Sequence, residues 1–464
     1  MPYDVVIIGG GSAGFAAAIK AAELGGKVAV VNSGLPPGGT CVNVGCVPTK
    51  FLIRAAEALW AARSFYSGPL PKPSLRQLLK ETYELTAKLR KEKYVDLLSY
   101  YDVDYVEGRG VLAGPGRVKV GNRTLEGPAV IVATGSRPAT PPLKGLEDVA
   151  YFTNERLFDL GEPSSVVFVG GGPVAAELGQ AFNRLGIKTT IITRGRLFKH
   201  EEALASDFVE EVLREEGVEV IHDEAVAVRR ADGGVEVVTR GGAKAFGEVL
   251  FLAAGRVPNS EAAGGLLELN PDGSIKVNTK METSMPGVYA AGDVAGGVFL
   301  GGGRYSENAA ARQGAVAAEN AMGGSAQYNP LTTPRVVFTD PPVAAVGLTE
   351  EEMIASGFGC KCMAVPIDLV AAAWTSKRVA GFVKVNTYPE TWRLSLRGGK
   401  IAGAVVAASH AEELIHVFAL AVAKGMYVQD LAELVPAFPS FGEALRLAAL
   451  AFQKDVSKLS CCAG

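Results

Sequence analysis

The chain has 464 residues, 48% of them hydrophobic and 20% charged, with a formal net charge of -3. That length exceeds one compact domain, and the balance describes a globular protein of about three domains with sizeable cores. Near-neutral charge without a block of like charges excludes the electrostatic footprint of a nucleic-acid or anionic-membrane binder, and no apolar run approaches the roughly 20 residues that span a bilayer.

Met1 leads directly into the strand-like "YDVVIIGG" with no basic region or cleavage site, so a cytosolic (cytoplasmic) protein is expected, working on small molecules or copies of itself. Six cysteines in such a chain argue for redox or metal chemistry rather than a structural disulfide framework. The first 34 residues contain "YDVVIIGGGSAGFAAAIKAAELGGKVAVVNSG", read as strand, glycine turn, small-residue helix and second strand. Gly9, Gly11 and Gly14 have G-x-G-x-x-G spacing: a tight turn, close backbone approach to a pyrophosphate, and close packing of helix on strand. The helix N-terminus then offers unpaired N–H groups to the phosphates.

Next comes "PPGGTCVNVGCVPTKFLIRAAEALWAAR", with Cys41 and Cys46 just before a helical pattern and Pro48 in its first turn. Cys46 is thus expected at the positive end of a helix, where the dipole favours thiolate over thiol. Such a pair closes a disulfide, binds a soft metal, or sits inert in a core; spacing alone leaves all three open.

"VIVATGSRP", "VLFLAAGRVPN" and "TSMPGVYAAGDVAGG" each read as a short hydrophobic strand ending in a glycine turn. A second strand-turn-helix-strand unit, "SSVVFVGGGPVAAELGQAFNRLGIKTTIITRGR", puts Gly170, Gly172 and Ala175 at the three turn positions, so two dinucleotide sites are expected. Its last strand ends in Thr193, followed by Arg194, Gly195, Arg196 and Lys199. A carboxylate there would grip the 2'-hydroxyl of NAD, whereas arginines attract a 2'-phosphate. NADPH is favoured over NADH, the alternative being a basic solvated loop.

From about Leu331 the chain changes to a strand-and-helix module without a nucleotide turn, read as a third domain. In it Cys360 and Cys362 form a C-x-C on a strand-like run that puts both on one face. They are given no role: an auxiliary metal site is the alternative, and two ordinary strand cysteines are the better reading. His200, His222, His410 and His416 are read as structural or surface residues. The chain closes on "PAFPSFGEALRLAALAF" and then "KLSCCAG", with the adjacent thiols Cys461 and Cys462.

Gly38 through Lys50 match G-G-T-C-x-N-x-G-C-x-P-x-K without a gap, and on this signature the chain resembles the flavoprotein disulfide reductases over nearly its whole length. The resemblance implies an α/β fold with two Rossmann-like dinucleotide-binding domains, for FAD and NADPH, and a C-terminal α+β dimerisation domain. The expected segments are 1–145 and 263–330 for FAD, 146–262 for NAD(P)H and 331–464 for the interface. It implies FAD held by Gly9, Gly11, Gly14 and Asp293, the last accepting a ribityl hydroxyl proton. Further cofactor contacts are implied at Asn32, Gly39, Thr40, Thr134 and Gly135. Asn32 stands where an acidic residue usually binds the adenosine ribose, and keeps an acceptor without the charge. Cys46 is then the thiol beside the flavin and Cys41 the one that exchanges with substrate, with Lys50 facing the flavin and paired with Glu177.

Disulfide-reducing members of that family carry near their ends a His-Pro pair followed by a glutamate, the histidine protonating the leaving thiolate. Here the matching residues are Phe438, Pro439 and Glu443, and phenylalanine donates no proton. Transfer of a soft metal between thiolates is ligand exchange and needs no such acid. The tail "FQKDVSKLSCCAG" closely resembles that of the Hg(II)-reducing branch. It implies a homodimer in which Cys461 and Cys462 of one subunit hand Hg(II) to Cys41 and Cys46 of the other, all four acting as metal ligands. That branch places a tyrosine where this chain has Phe438, and Tyr94 matches its other site tyrosine. The chain begins at the flavin domain, so metal delivery is expected to rest on the tail or on small cellular thiols. A thioredoxin-reductase-like enzyme and a non-catalytic metal-sequestering flavoprotein are the competing readings.

Overall fold

Four consecutive aliphatic residues, Val5–Ile8, form the fully buried strand β1 of a computed structural model that describes residues 3–296, 305–389 and 398–460. By packing, the chain divides into two units: Met1–Ala55, Pro71–Gly170 and Glu224–Pro330 make the first, and Ala56–Leu70, Gly171–Asp223 and Leu331–Gly464 the second.

In the first unit β1 pairs in parallel with β2 (Val28–Asn32) on one side and Ala129–Val132 on the other. Asp104–Glu107 and Val288–Ala290 complete a five-stranded parallel sheet. Both faces are covered, which is why these strands read as unbroken hydrophobic runs. Val5 and Ile7 enter one core cluster, Val6 and Ile8 the opposite one. Helix α1 (Ser12–Glu23) is built of small residues because it packs closely on the helix Glu307–Ala321: Ala13, Ala17, Ala18 and Ala21 share a core with Ala309, Ala310, Ala317 and Ala318. The Gly314 Cα lies against the Ala13 carbonyl, where a Cβ would collide. The cysteine segment is helical from Gly39: a short helix α2 (Gly39–Val44), a break at Gly45, then α3 (Cys46–Phe65). The first unit also holds the parallel strands Ser165–Val169, Val249–Leu252 and Tyr151–Phe152 and two three-stranded antiparallel sheets.

In the second unit α4 (Pro173–Arg184) follows the second glycine turn, and β3 (Lys188–Thr193) pairs in parallel with Glu219–His222. A five-stranded antiparallel sheet runs β4 (Lys361–Pro366), β5 (Phe382–Thr387), Ile401–Ala407, Val343–Gly347 and Arg335–Val337. Ile415 and Phe418 of one helix and Leu445 of another fill its core against Val383 and Val406. Arg184, its side chain 2% exposed, ends α4 in a buried ionic cluster: its guanidinium reaches Glu216 at 2.5 Å and Asp340 at 2.5 Å, and Arg378 meets Asp340 at 2.7 Å. The C-x-C, expected as two ordinary strand cysteines, is instead joined as a Cys360–Cys362 disulfide. Cys362 lies on β4 and Cys360 just before it, and their Cα atoms are 5.6 Å apart, closer than in a fully extended strand and within reach of a bridge.

The architecture is therefore α/β, two glycine-turn units followed by an antiparallel α+β module. Among the described residues no helix is long and apolar enough to cross a membrane.

Candidate active site

The first glycine turn and the cysteine segment are packed on each other. Gly9, at φ +116°, has the Ala133 carbonyl where a side chain would lie, so the turn closes directly on the neighbouring strand. Gly39, at φ +59°, leaves only 2.7 Å between a would-be Cβ and the Gly11 Cα, and the Gly38 N–H donates to the Gly10 carbonyl at 2.8 Å. Two motifs separated in sequence thus share one backbone contact. Gly11 is the N-cap of α1 with no side-chain cap, and a Cβ there would meet only Gly39, at 3.9 Å. The unpaired N–H groups of the helix start are left for an anion.

Beside this turn lies a cavity of about 310 Å³ lined by Gly9, Asn32, Arg109, Thr134, Arg137 and Glu261. Its volume suits a nucleoside. Asn32 forms one wall, its Oδ1 accepting from the Gly10 N–H at 2.9 Å and its Nδ2 donating to the Leu35 carbonyl and the Tyr105 hydroxyl. The asparagine therefore clamps the glycine turn. Asp293 accepts from the Ser136 hydroxyl at 2.5 Å and lies 3.7 Å from Arg256. Burial pushes its carboxyl up from the ordinary value, against that hydrogen bond and the arginine charge. An uncapped helix start, a glycine cradle, a nucleoside-sized cavity and a carboxylate together fit a flavin dinucleotide. Thr40 lies in α2, and Thr134 and Gly135 follow the strand Ala129–Val132.

Cys41 projects from α2 and Cys46 opens α3, both as thiols, the first partly buried and the second exposed. The helix break that aims them is held by Asn43, whose Nδ2 donates to the Gly39 carbonyl at 2.8 Å, by Asn154 on the Val44 carbonyl, and by Thr49 on the Gly45 carbonyl. A hydrogen bond with Cys46, then burial and the nearby Cys46 and Glu307, hold the Cys41 thiol far above its ordinary range, while Lys50 pulls the other way. Tyr94 lies in a π-helical turn, Lys91–Val95, with its ring 4.9 Å from that of Phe15. Burial, followed by Cys41 and Glu307, pushes its hydroxyl up to about 12, against a hydrogen bond to Ser12. The structure thus brings Cys41, Cys46, Lys50 and Tyr94 together. Ser12, at a variable position inside the first glycine motif, and Glu307, which no motif announces, join them from distant segments.

In the second unit the turn at Gly172 is again an uncapped helix N-cap, with Pro173 in the first turn and Ala175 fully buried. Arg194 and Lys199 are exposed. Arg196 is already engaged: Glu351 takes its two terminal nitrogens at 3.0 Å each. Glu351 carried no sequence signal, because it belongs to the C-terminal module. Glu177 is buried and accepts from the Phe338 backbone N–H at 2.8 Å. Phe438 is 61% exposed. Glu443 is buried, and its Oε2 has no hydrogen-bond partner among the described residues. His222 reaches Glu210 at 2.6 Å, and the His410 ring lies 5.8 Å from that of Phe441. Cys461 and Cys462 lie outside the described residues.

Residues 3–321 match the family described as pyridine nucleotide-disulphide oxidoreductase, and residues 333–449 match its dimerisation domain. Over 483 residues the chain is 34% identical to a mercuric reductase of Lysinibacillus sphaericus, covering 100% of this chain and 85% of that protein. It is 35% identical over 487 residues to a mercuric reductase of Streptomyces lividans, covering 100% and 98%. Among solved structures, LpdA from Mycobacterium tuberculosis matches with a TM-score of 0.85 at 29% identity, covering 97% of this chain and 99% of that one. The Cu(II) complex of the HOCl-induced flavoprotein disulfide reductase RclA from Escherichia coli matches with a TM-score of 0.83 at 23% identity, covering 97% and 99%, and speaks for the fold alone.

Proposed function

Because the chain belongs to the pyridine nucleotide-disulphide oxidoreductase family, we propose that it is a homodimeric oxidoreductase that uses NADPH and FAD to reduce Hg(II) to Hg(0), with Cys41 and Cys46 holding the metal. The observation that carries this reading is the hydrogen-bonded pair of thiols beside the glycine cradle, in a chain whose full length is similar to mercuric reductases. FAD, held by Gly9, Gly11, Gly14 and Asp293, supplies the two-electron relay between the nicotinamide and the cysteine pair.

The chain's own residues do the rest. Hg(II) arrives as a bis-thiolate. Its two carrier sulfurs are displaced by Cys41 and Cys46, whose protons leave with the carriers as two thiols, since a soft cation binds thiolate and not thiol. Cys41 enters the exchange as a thiol, held so by its hydrogen bond with Cys46 and by burial with Lys50 only partly opposing, and gives up its proton as the metal–sulfur bond forms; Tyr94 stays protonated at neutral pH and able to donate a hydrogen bond. When the metal accepts two electrons both sulfurs stay behind as thiolates, so no departing sulfur requires a proton. That is why Phe438 is tolerable where a disulfide reductase needs an acid. Cys461 and Cys462 of the partner subunit deliver the metal, and small thiols carry it to them.

For the coenzyme, Arg194 and Lys199 are the exposed cations that would meet a 2'-phosphate, with Arg196 shared with Glu351. The test follows NADPH and NADH oxidation by the FAD-loaded protein, with Hg(II) in excess monothiol, against oxidised glutathione, lipoamide and thioredoxin. Consumption of NADPH with Hg(II), and little with the disulfides, is expected. Turnover with a disulfide and none with Hg(II) would overturn the reading.

A further inference from the structure

Cys360 and Cys362 take no part in the electron path above, yet they sit in a ligand-rich corner of the second unit. Both sulfurs and one carboxylate oxygen of Glu350 lie within 4.8 Å of one another. The corner is built by the sheet. Cys362 is the cross-strand partner of Asn386 in the β4–β5 ladder, and Ala364 that of Lys384, so Cys362, Lys384 and Asn386 share one face, with Cys360 just before the strand. Lys361 points the other way, its ammonium 5.7 Å from the Phe452 ring centroid.

Lys384 does not oppose a cation here. Its ammonium is shared between Glu202 at 2.9 Å and Glu350 at 2.5 Å, so Glu202 keeps it paired when Glu350 turns to a metal. Asn386 supplies a second, independent sign. It is fully buried, its Nδ2 donates to Glu202 and to the Leu348 carbonyl, and its Oδ1 has no hydrogen-bond partner among the described residues. An orphaned buried acceptor beside Cys362 is a cost that a cation, or the S–H of an opened cysteine, removes.

We propose that Cys360 and Cys362, once their disulfide is opened by a small-molecule monothiol, bind a thiophilic d10 divalent cation together with Glu350, as a second metal site of the chain. Opening is balanced: two monothiols give two electrons and two protons to the Cys360–Cys362 bond, yielding one small disulfide and two protein thiols. Capture is ligand exchange. Two metal–sulfur bonds to carrier thiolates break, two to Cys360 and Cys362 form, and the protein's thiol protons leave with the carriers. Glu350 is the third ligand, and a tetrahedral ion keeps its fourth position for water or a carrier thiol. The site goes beyond Hg(II) turnover and does not depend on it.

The probe is Cd(II). The FAD-loaded full chain with Cys41, Cys46, Cys461 and Cys462 all changed to Ser is reduced with excess monothiol, desalted and titrated, reading the thiolate-to-cadmium ultraviolet band and the metal retained on gel filtration. About one Cd(II) per chain is expected. It should vanish on adding Cys360→Ser with Cys362→Ser, and weaken about tenfold or more with Glu350→Gln. The unreduced protein should retain none. No cadmium on the reduced background, or cadmium that survives the Cys360→Ser, Cys362→Ser change, would overturn the site. So would equal binding by unreduced protein. The same two changes in an otherwise unaltered chain should leave flavin content and flavin reduction by NADPH at their starting level, which separates loss of the site from loss of the fold.

Discussion

Glu443 is a carboxyl group whose Oε2 finds no partner among the described residues, in a chain where Phe438 stands at the position of the family's histidine. Burial pushes its carboxyl up from the ordinary value, and the charge of Arg446 only partly opposes this. The sign of the consequence is definite. Below the unfolded carboxyl value both states are protonated and Glu443 costs nothing; as pH rises, the unfolded chain loses the proton while the fold retains it, so stability falls through the raised folded value. Glu443→Gln should therefore melt above the parent protein at about pH 8 and level with it near about pH 4. A gap that does not change with pH would show the carboxyl to be paired. Other residue roles were only half legible. Cys41 and Cys46 stood out by motif, but a helix-dipole argument aimed at Cys46 did not foresee that Cys46, burial and Glu307 would raise the Cys41 thiol. Asn32 read as a ligand-facing residue, and its amide turns out to hold Gly10, Leu35 and Tyr105.

At the scale of elements, periodicity and glycine spacing place β1, α1, β2, α4 and β3 correctly, because local backbone chemistry decides them. What α4 is fastened to was not readable. Arg184 at its last position looks like a solvated complement to the helix dipole. In the fold its side chain is 2% exposed, set 4.9 Å from the Trp60 ring centroid and bound to Glu216 and Asp340, while Gln180 exchanges two hydrogen bonds with the Asp340 backbone. Removing the cation takes from buried Glu216 its arginine partner and leaves Asp340 to Arg378. Arg184→Met is expected to lower unfolding stability by about 3–5 kcal/mol, read by denaturant titration. A loss below about 1 kcal/mol would show that the carboxylates find other partners or neutralise.

For the whole molecule, the dimerisation-domain match over residues 333–449 and the cysteine-bearing tail lead to one experiment on the assembly. Two inactive chains are mixed and allowed to exchange subunits, one with Cys461→Ala and Cys462→Ala, the other with Cys41→Ser and Cys46→Ser. If the tail serves the partner's thiol pair, each hybrid has one intact site, and random exchange should restore about a quarter of the starting Hg(II) turnover. No recovery would mean that each tail serves its own subunit. The sequence by itself determined the α/β class, the two nucleotide turns, the cysteine pair and the loss of a proton donor at Phe438. Each of these rests on residue type and short-range spacing, which survive in a one-dimensional string. Only the tertiary structure decided that Gly39 seats on Gly11, that Glu351 engages Arg196, that Arg184 is buried between carboxylates, and that Cys360 and Cys362 meet each other beside Glu350. The first three are contacts between segments far apart in the chain, set by which surfaces pack together, and the cysteine corner depends on how the short stretch from Glu350 to Cys362 folds back, so no local pattern encodes them.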